Sequence, residues 1–114
     1  RKLAVNGSTI LLLGVSYKPN ISDMRETPAL PLAERLVSWG AEVSYHDPFV
    51  PAWNGPGGQR IVSAPDAYEA AAKVDVVVLL QPHRGYDWAR LIDSAKVILD
   101  TRGALEPHPA VVRL

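Results

Sequence analysis

A chain of 114 residues is long enough to bury one hydrophobic core but too short for two domains. Hydrophobic residues make up 47% and charged residues 21%, a globular balance that excludes a disordered tail, a collagen-like repeat and a coiled coil. Twelve basic and twelve acidic residues cancel, so we expect no nucleic-acid partner. Cysteine is absent, which excludes disulfides, thiolate metal sites and cysteine nucleophiles within these residues.

No segment of the chain reads as a signal peptide or a membrane span. The longest apolar runs, Ile10–Val15 and Val76–Leu80, are much shorter than the roughly 20 residues that a transmembrane helix needs. We therefore expect a cytoplasmic protein with no membrane partner. The chain begins at Arg1 and its single methionine is Met24, which indicates a processed chain or a piece of a longer one.

Short apolar runs rich in β-branched residues predict the strands. Ile10–Val15, Val74–Leu80 and Val97–Leu99 are nearly continuous, as in strands that are buried on both faces of a parallel sheet. Ala41–His46 alternates between apolar and polar residues and is expected nearer an edge, and Arg60–Val62 is a weak strand candidate. The segment before that candidate, 49–59, contains two prolines and three glycines and predicts a mobile surface loop.

Helical patterns separate these strands. Pro28–Trp39 places apolar residues on one stripe, with Thr27 as a candidate cap and Gly40 as a terminator. Asp66–Lys73 and Tyr86–Ser94 are two further helix candidates. Strand and helix in alternation predict a single three-layer α/β domain of Rossmann-like form with a mainly parallel sheet. The expected strand order is 3-2-1-4-5, in which the first, fourth and fifth strands are neighbours.

The segments that follow the strands carry the candidate binding residues, because ligands of such sheets lie beyond the carboxyl ends of the strands. The segment after the first strand, 16–27, is roughly twice the two to six residues usual for a strand-to-helix connection. It carries Lys18 and Arg25 beside a helix amino end, while His83 and Arg102 follow later strands. With the expected strand order, Lys18, His83 and Arg102 converge, and a phosphate or diphosphate is their natural ligand.

Each of these residues also has a simpler interpretation. Lys18 and Arg25 could neutralise acidic neighbours on a solvated loop, and Arg102 could serve only in a turn. His83 follows a proline, where a histidine is more often bonded to the backbone of a turn than used as a catalytic base. Tyr17 could stack on a base or cover the edge of the core.

A dinucleotide site is not expected in this chain, although the predicted topology is one that commonly binds dinucleotides. The fingerprint GxGxxG needs three glycines in the first strand-to-helix turn. That turn offers only Gly14, followed by Val15 and Ser16. Asp47 is placed where a ribose ligand could lie, but Asp47-Pro48 is more simply a turn.

One block of residues is specific enough to indicate a family. The segment Gly14–Leu30, with Tyr17-Lys18-Pro19-Asn20 and later Asp23-x-Arg25-Glu26-x-Pro28-Ala29, resembles the start of the C-terminal, UDP-binding domain of the UDP-glucose/GDP-mannose dehydrogenase family. The resemblance continues, in the family's order, through Gly40–Pro48, Asp75–Val78 with His83, and Val97–Gly103. It covers nearly the whole chain.

The resemblance implies that residues 1–114 are the UDP-binding C-terminal domain of a larger NAD-dependent nucleotide-sugar 6-dehydrogenase. Such enzymes oxidise a primary alcohol of a UDP-sugar to a carboxylate in two steps, with two NAD⁺ and a catalytic cysteine, and supply polysaccharide biosynthesis. Their N-terminal NAD-binding domain and central dimer-forming helix lie outside these residues. We therefore expect a homo-oligomer for the full-length protein, and binding without catalysis for this chain alone.

The resemblance also assigns roles to four residues. Tyr17 and Lys18 would line the nucleotide-sugar site, Arg102 would contact the UDP portion, and Arg25 would reach toward NAD held by the other domain. No catalytic residue and no metal ligand is expected in this chain. The motif Tyr17-Lys18-Pro19-Asn20 resembles family members that act on UDP-N-acetylglucosamine or UDP-N-acetylmannosamine more than it resembles UDP-glucose enzymes.

Two other classes of function remain open at this point. The chain could be a free-standing binding or regulatory module that uses this fold for a phosphorylated ligand or a protein partner. It could also be a structural dimerisation domain, although the long charged segment beside a helix end disfavours that interpretation.

Overall fold

The computed structural model describes residues 6–16 and 27–113. The strands are β1 Thr9–Leu13, β2 Glu42–His46, β3 Ala52–Asn54, β4 Arg60–Val62, β5 Val76–Leu79, β6 Ile98–Asp100 and β7 Val111–Arg113. The helices are α1 Ala29–Ser38, α2 Ala67–Lys73 and α3 Trp88–Ser94, with a short 3₁₀ turn at Pro56–Gly58.

Five strands form one parallel sheet in the order β2-β1-β5-β6-β7. Leu12 in β1 pairs with Tyr45 on one side and Val78 on the other, so β1 lies inside the sheet. The prediction that the first, fourth and fifth predicted strands are neighbours is confirmed, since these are β1, β5 and β6. Strand β7, at the far edge, had no counterpart in the sequence prediction.

The weak candidate Arg60–Val62 is a strand, but its predicted place in the main sheet was wrong. It pairs antiparallel with β3 in a separate two-stranded sheet. The prediction of a mobile loop before it was wrong as well, because Trp53 in β3 is buried and packs edge-on against Tyr45, with ring centroids 5.7 Å apart. Burial of this indole ties the hairpin to β2.

The three predicted helices are confirmed with shorter bounds. Helix α1 has Pro28 at the N-cap position, and the Thr27 hydroxyl, which accepts a hydrogen bond from the backbone N–H of Ala29, donates to the carbonyl of Val15. Thr27 therefore joins the start of α1 to the end of β1. The Asp66 side chain caps α2, and that of Asp87 caps α3, which shortens the predicted third helix by two residues.

The core lies in two layers, one on each face of the sheet. Ile10 and Leu12 face α1, where Ala29 and Ala33 are also buried. The alternate β1 residues, Leu11 and Leu13, pack on the opposite face with residues of α2 and α3. Both faces of β1 are covered, which is why its sequence is continuously apolar. The predicted three-layer α/β fold is thereby confirmed.

Candidate functional site

The order of the strands reverses between β1 and β5, so the residues that directly follow these two strands face each other at the carboxyl edge of the sheet. Gly14 follows β1 with a φ of +79°, and a Cβ atom there would lie 2.5 Å from the carbonyl oxygen of Gln81. Glycine is therefore required for the two segments to approach. Its freedom serves this contact between chain segments, not the approach of a pyrophosphate.

Three polar side chains are buried together at this edge. The ring Nε2 of His83 lies 2.9 Å from Oδ2 of Asp47 and 3.3 Å from Oγ of Ser16. The same Oδ2 accepts hydrogen bonds from the backbone N–H groups of Val15 at 2.8 Å and Ser16 at 3.3 Å. The network thus joins the ends of β1, β2 and β5.

This network does not have the geometry of a catalytic triad. In a triad the serine and the carboxylate contact different ring nitrogens, so that one nitrogen accepts the serine proton while the carboxylate holds the N–H of the other. Here Nε2 of His83 faces both Asp47 and Ser16, and the side chains of His83 and Asp47 are fully buried. Among the described residues, this network joins strand ends. The expectation of a backbone-bonded turn histidine was incomplete, since the His83 backbone N–H does bond to Gln81 but its ring bonds to side chains.

Both oxygens of the Asp47 carboxylate accept hydrogen bonds from within the fold. Its Oδ1 accepts a hydrogen bond from the backbone N–H of Phe49 at 2.8 Å, which confirms the turn interpretation of Asp47-Pro48. Burial by itself would raise the pKa of Asp47, but the bonds from His83, Phe49 and Val15 outweigh burial and lower the pKa. With both oxygens engaged, Asp47 does not serve as a ribose ligand.

The loop after β6 is built around a second buried carboxylate, Asp100. Its oxygens accept hydrogen bonds from the backbone N–H groups of Arg102 at 3.0 Å and Leu105 at 2.9 Å. The Thr101 hydroxyl also donates to the carbonyl of Leu79 at 2.6 Å. Burial alone would raise the pKa of Asp100, but the bonds from the N–H groups of residues 102–105 lower it. The backbone that carries Arg102 is therefore held at the carboxyl edge.

The side chain of Arg102 turns back toward the segments that follow β5 and β1. Its Nη1 donates to Oε1 of Gln81 at 3.3 Å, and Nε2 of Gln81 donates to the carbonyl of Ser16 at 3.1 Å. Sequence reasoning missed Gln81, although a polar residue after a buried strand was a usable signal. The other predicted site residues, Tyr17, Lys18 and Arg25, lie outside the described residues.

A cleft of about 260 Å³ opens at the end of β2, between the starts of α2 and α3. Its walls include the guanidinium of Arg90, which lies 4.2 Å from the ring centroid of Tyr68. His46 also lines it, with Nδ1 2.9 Å from the Tyr86 hydroxyl. Burial lowers the pKa of His46 and raises that of Tyr86, so both groups are held neutral near pH 7. The cleft has a mixed character, with tyrosines, arginines and the carboxylate of Asp66 in its lining.

Residues 6–16 and 27–113 contain neither a candidate metal cluster nor a candidate membrane-spanning helix. No group of three or more histidine or acidic side chains within these ranges is arranged to hold a metal ion. In the same ranges, no helix combines the length and apolar character needed to cross a membrane.

The parallel sheet, its single-glycine first turn and the arginine at its carboxyl edge define a Rossmann-like domain without the dinucleotide fingerprint. The chain belongs to the UDP-glucose/GDP-mannose dehydrogenase family, and residues 11–107 match its UDP binding domain. The match runs from within β1 to just beyond the Arg102 loop. The family resemblance noted in the sequence is confirmed.

Individual proteins that are similar to this chain are dehydrogenases of nucleotide sugars. UDP-glucose 6-dehydrogenase of Rhizobium meliloti (strain 1021) is 35% identical over 83% of this chain and 22% of its own length. UDP-N-acetyl-D-mannosamine dehydrogenase of Methanocaldococcus jannaschii is 31% identical over 84% of this chain and 23% of its own length. The crystal structure of NDP-N-acetyl-D-galactosaminuronic acid dehydrogenase from Methanosarcina mazei Go1 has a TM-score of 0.75 and 25% identity, over 97% of this chain and 25% of that one.

The chain spans about a quarter of the length of these relatives. Their names also include more than one sugar. The expectation of an N-acetylated UDP-sugar therefore stays a prediction.

Proposed function

We propose that residues 1–114 bind the UDP portion of a UDP-sugar as the C-terminal domain of a nucleotide-sugar 6-dehydrogenase. The observation that carries this proposal is the match of residues 11–107 to the family's UDP binding domain. In the proposed full-length enzyme, a primary alcohol of the sugar is oxidised to a carboxylate. The product would be a sugar acid for polysaccharide biosynthesis, made in the cytoplasm by a homo-oligomer.

Arg102 is the proposed contact of the UDP diphosphate. Its described side-chain hydrogen bond is to the neutral amide of Gln81, which does not compensate the charge of the guanidinium. Planar guanidinium groups suit phosphate oxygens because they donate two parallel hydrogen bonds. Tyr17 and Lys18 follow Ser16 directly in the chain and are proposed to complete the nucleotide-sugar site.

The described residues do not fit a dinucleotide. Gly14 packs closely against Gln81, which leaves no room there for a pyrophosphate. Both carboxylate oxygens of Asp47 accept hydrogen bonds from within the fold. In the proposed enzyme, NAD⁺ would supply the hydride acceptor for both oxidations and would be held mainly by a domain outside this chain. Arg25 is proposed to reach toward it. The contribution of this chain is to bind and orient the nucleotide, and alone it is expected to be inactive.

The test is an NMR titration of the 114-residue chain with UDP, and separately with NAD⁺, at low salt. UDP is expected to shift the amides of 100–103 and of 16–27, and NAD⁺ is expected to leave them unchanged. Arg102→Ala should weaken UDP binding by about 10- to 100-fold, the usual scale for losing a charged contact to phosphate.

Arg35→Ala is the matched control for that substitution. Arg35 is exposed in the last turn of α1, which returns the chain to the amino edge of the sheet. Its loss should leave UDP binding unchanged. Failure of UDP at millimolar concentration to shift any amide would overturn the proposed function of this domain.

A further inference from the structure

Gln81 lies between Arg102 and Ser16 and is hydrogen-bonded to both. It follows β5 at the point where the strand order reverses, and only 2% of its surface is exposed. Its backbone is held by a hydrogen bond from its N–H to the carbonyl of Leu13 at 3.3 Å. The missing Cβ of Gly14 allows this close approach.

The orientation of the Gln81 amide follows from its two partners. A guanidinium can only donate hydrogen bonds, so Oε1 must face Arg102, at 3.3 Å. The Ser16 carbonyl can only accept, so Nε2 must face it, at 3.1 Å. A single planar amide therefore connects the guanidinium to the last described residue before segment 17–26.

The neutrality of the amide matters as much as its geometry. A carboxylate at this position would also hold the guanidinium, but it would neutralise the charge that a diphosphate needs. It would also place an anion against the carbonyl oxygen of Ser16. An aliphatic side chain would keep the volume and lose both hydrogen bonds. Glutamine alone among these alternatives restrains Arg102 without neutralising it.

We propose that Gln81 is a positioning residue, which holds the Arg102 guanidinium toward the diphosphate and at a fixed place relative to Ser16. The proposal rests on the proposed function, since it presumes that Arg102 contacts UDP. Gln81 itself has both ends of its amide engaged within the fold and is not assigned a contact with the ligand.

A double-mutant cycle on UDP binding tests the proposal. Gln81→Leu should weaken UDP binding about tenfold in the wild-type background and less than twofold in the Arg102→Ala background, because residues that act through one another are not additive. The ratio of UDP to UMP affinity should fall in Gln81→Leu, since the lost contact is to the diphosphate. A merely structural role would weaken both ligands alike and add to Arg102→Ala, and that result would overturn the proposal.

A second measurement needs no ligand and separates the two proposals. The ¹⁵Nε signal of the Arg102 guanidinium should report slow side-chain motion in the wild type. This restraint should be lost in Gln81→Leu and retained in Gln81→Glu. Gln81→Glu should nevertheless bind UDP more weakly, because its carboxylate neutralises Arg102. Thermal unfolding of each variant checks that it folds.

The outcomes are distinct. If the wild type binds UDP and Arg102→Ala weakens it while Gln81→Leu does not, the positioning role is wrong and the proposed function stands. If UDP does not bind the wild type, the proposed function fails, and the aiming of Arg102 at a diphosphate fails with it. An Arg102 signal that is equally mobile in the wild type and in Gln81→Leu would overturn the restraint itself.

Discussion

His83 and Asp47 form a buried pair, with Nε2 and Oδ2 2.9 Å apart, that joins the end of β5 to the end of β2 across β1. The same carboxylate holds the backbone of Val15, the point at which the chain leaves β1. Three strand ends therefore depend on one side chain. This arrangement sets the carboxyl edge on which the proposed UDP site is built.

Asp47→Ala is expected to destabilise the domain by about 3–5 kcal/mol, because it leaves a buried histidine and several backbone N–H groups without their acceptor. Denaturant unfolding measures this loss. Asp66→Ala is the control, since it removes a helix cap at a more exposed position and should cost only about 0.5–2 kcal/mol. Equal losses in the two variants would contradict the structural importance assigned to the buried network.

The lowered pKa of Asp100 predicts a defined pH dependence. A carboxyl group whose pKa is below 3.8 in the folded state stabilises the fold above pH 3.8, and this contribution is lost as the pH falls through the folded pKa. Asp100→Asn should therefore destabilise the domain at pH 7 by about 1–3 kcal/mol. The difference from wild type should narrow as the pH falls below 3.8, as followed by chemical denaturation. Asp93→Asn, at an exposed position in α3, should change the free energy of unfolding at pH 7 by about 0.5 kcal/mol or less.

Gly14→Ala tests the close contact with Gln81. Both Gly14 and Gly57 have positive φ values, +79° and +70°, but a Cβ at Gly57 would meet no atom within 4 Å. Gly57→Ala should therefore cost only the backbone strain, on the order of 1 kcal/mol, whereas Gly14→Ala should cost several times more. Thermal unfolding of both variants separates strain from collision. Similar losses would mean that Gln81 can move away.

The two tryptophans Trp53 and Trp39 form a matched pair for the β3–β4 hairpin. Trp53 is 7% exposed, whereas Trp39 is 53% exposed. Trp53→Ala should cost about 3–5 kcal/mol through the cavity that it leaves. Trp39→Ala should change the free energy of unfolding by about 0.5 kcal/mol or less. Tolerance of Trp53→Ala would show that the hairpin does not depend on this contact.

Within the proposed full-length enzyme, Arg102→Ala and Lys18→Ala should raise KM more than they lower kcat. The diphosphate charge is the same in the substrate and in the transition state, so its contacts contribute uniform binding. Steady-state kinetics with a UDP-sugar and NAD⁺, at two NADH per product, measure both constants. A collapse of kcat with KM unchanged would contradict the assigned roles.

Local pattern was sufficient to predict most of the fold. The continuous apolar run of β1 indicated burial on both faces, and the alanine-rich segment Asp66–Lys73 indicated a helix, because these signals arise within a few neighbouring residues. The block from Gly14 to Leu30 was specific enough to indicate the family. Arg102 was found from its place after a strand and from that resemblance.

The remaining features depend on partners that are distant in the chain. Arg60–Val62 lies outside the main sheet because it pairs with β3, whose Trp53 packs on Tyr45, and no local pattern carries that preference. Strand β7 is only three residues long and is defined by its pairing with β6. Short strands carry little periodicity, so their place is decided by the neighbour that completes their hydrogen bonds.

The contacts between residues of the site also depend on partners that are distant in the chain. The expected strand order placed Lys18, His83 and Arg102 near one edge, because the carboxyl ends of parallel strands must meet there. The packing of β2, β1 and β5 side by side brings Asp47 into contact with His83. It also allows Gln81 to link Arg102 to Ser16, and neither contact could be predicted from the sequence. Buried hydrogen bonds between residues 36 and 65 positions apart are set by tertiary structure, because each group must find its partner once water is excluded.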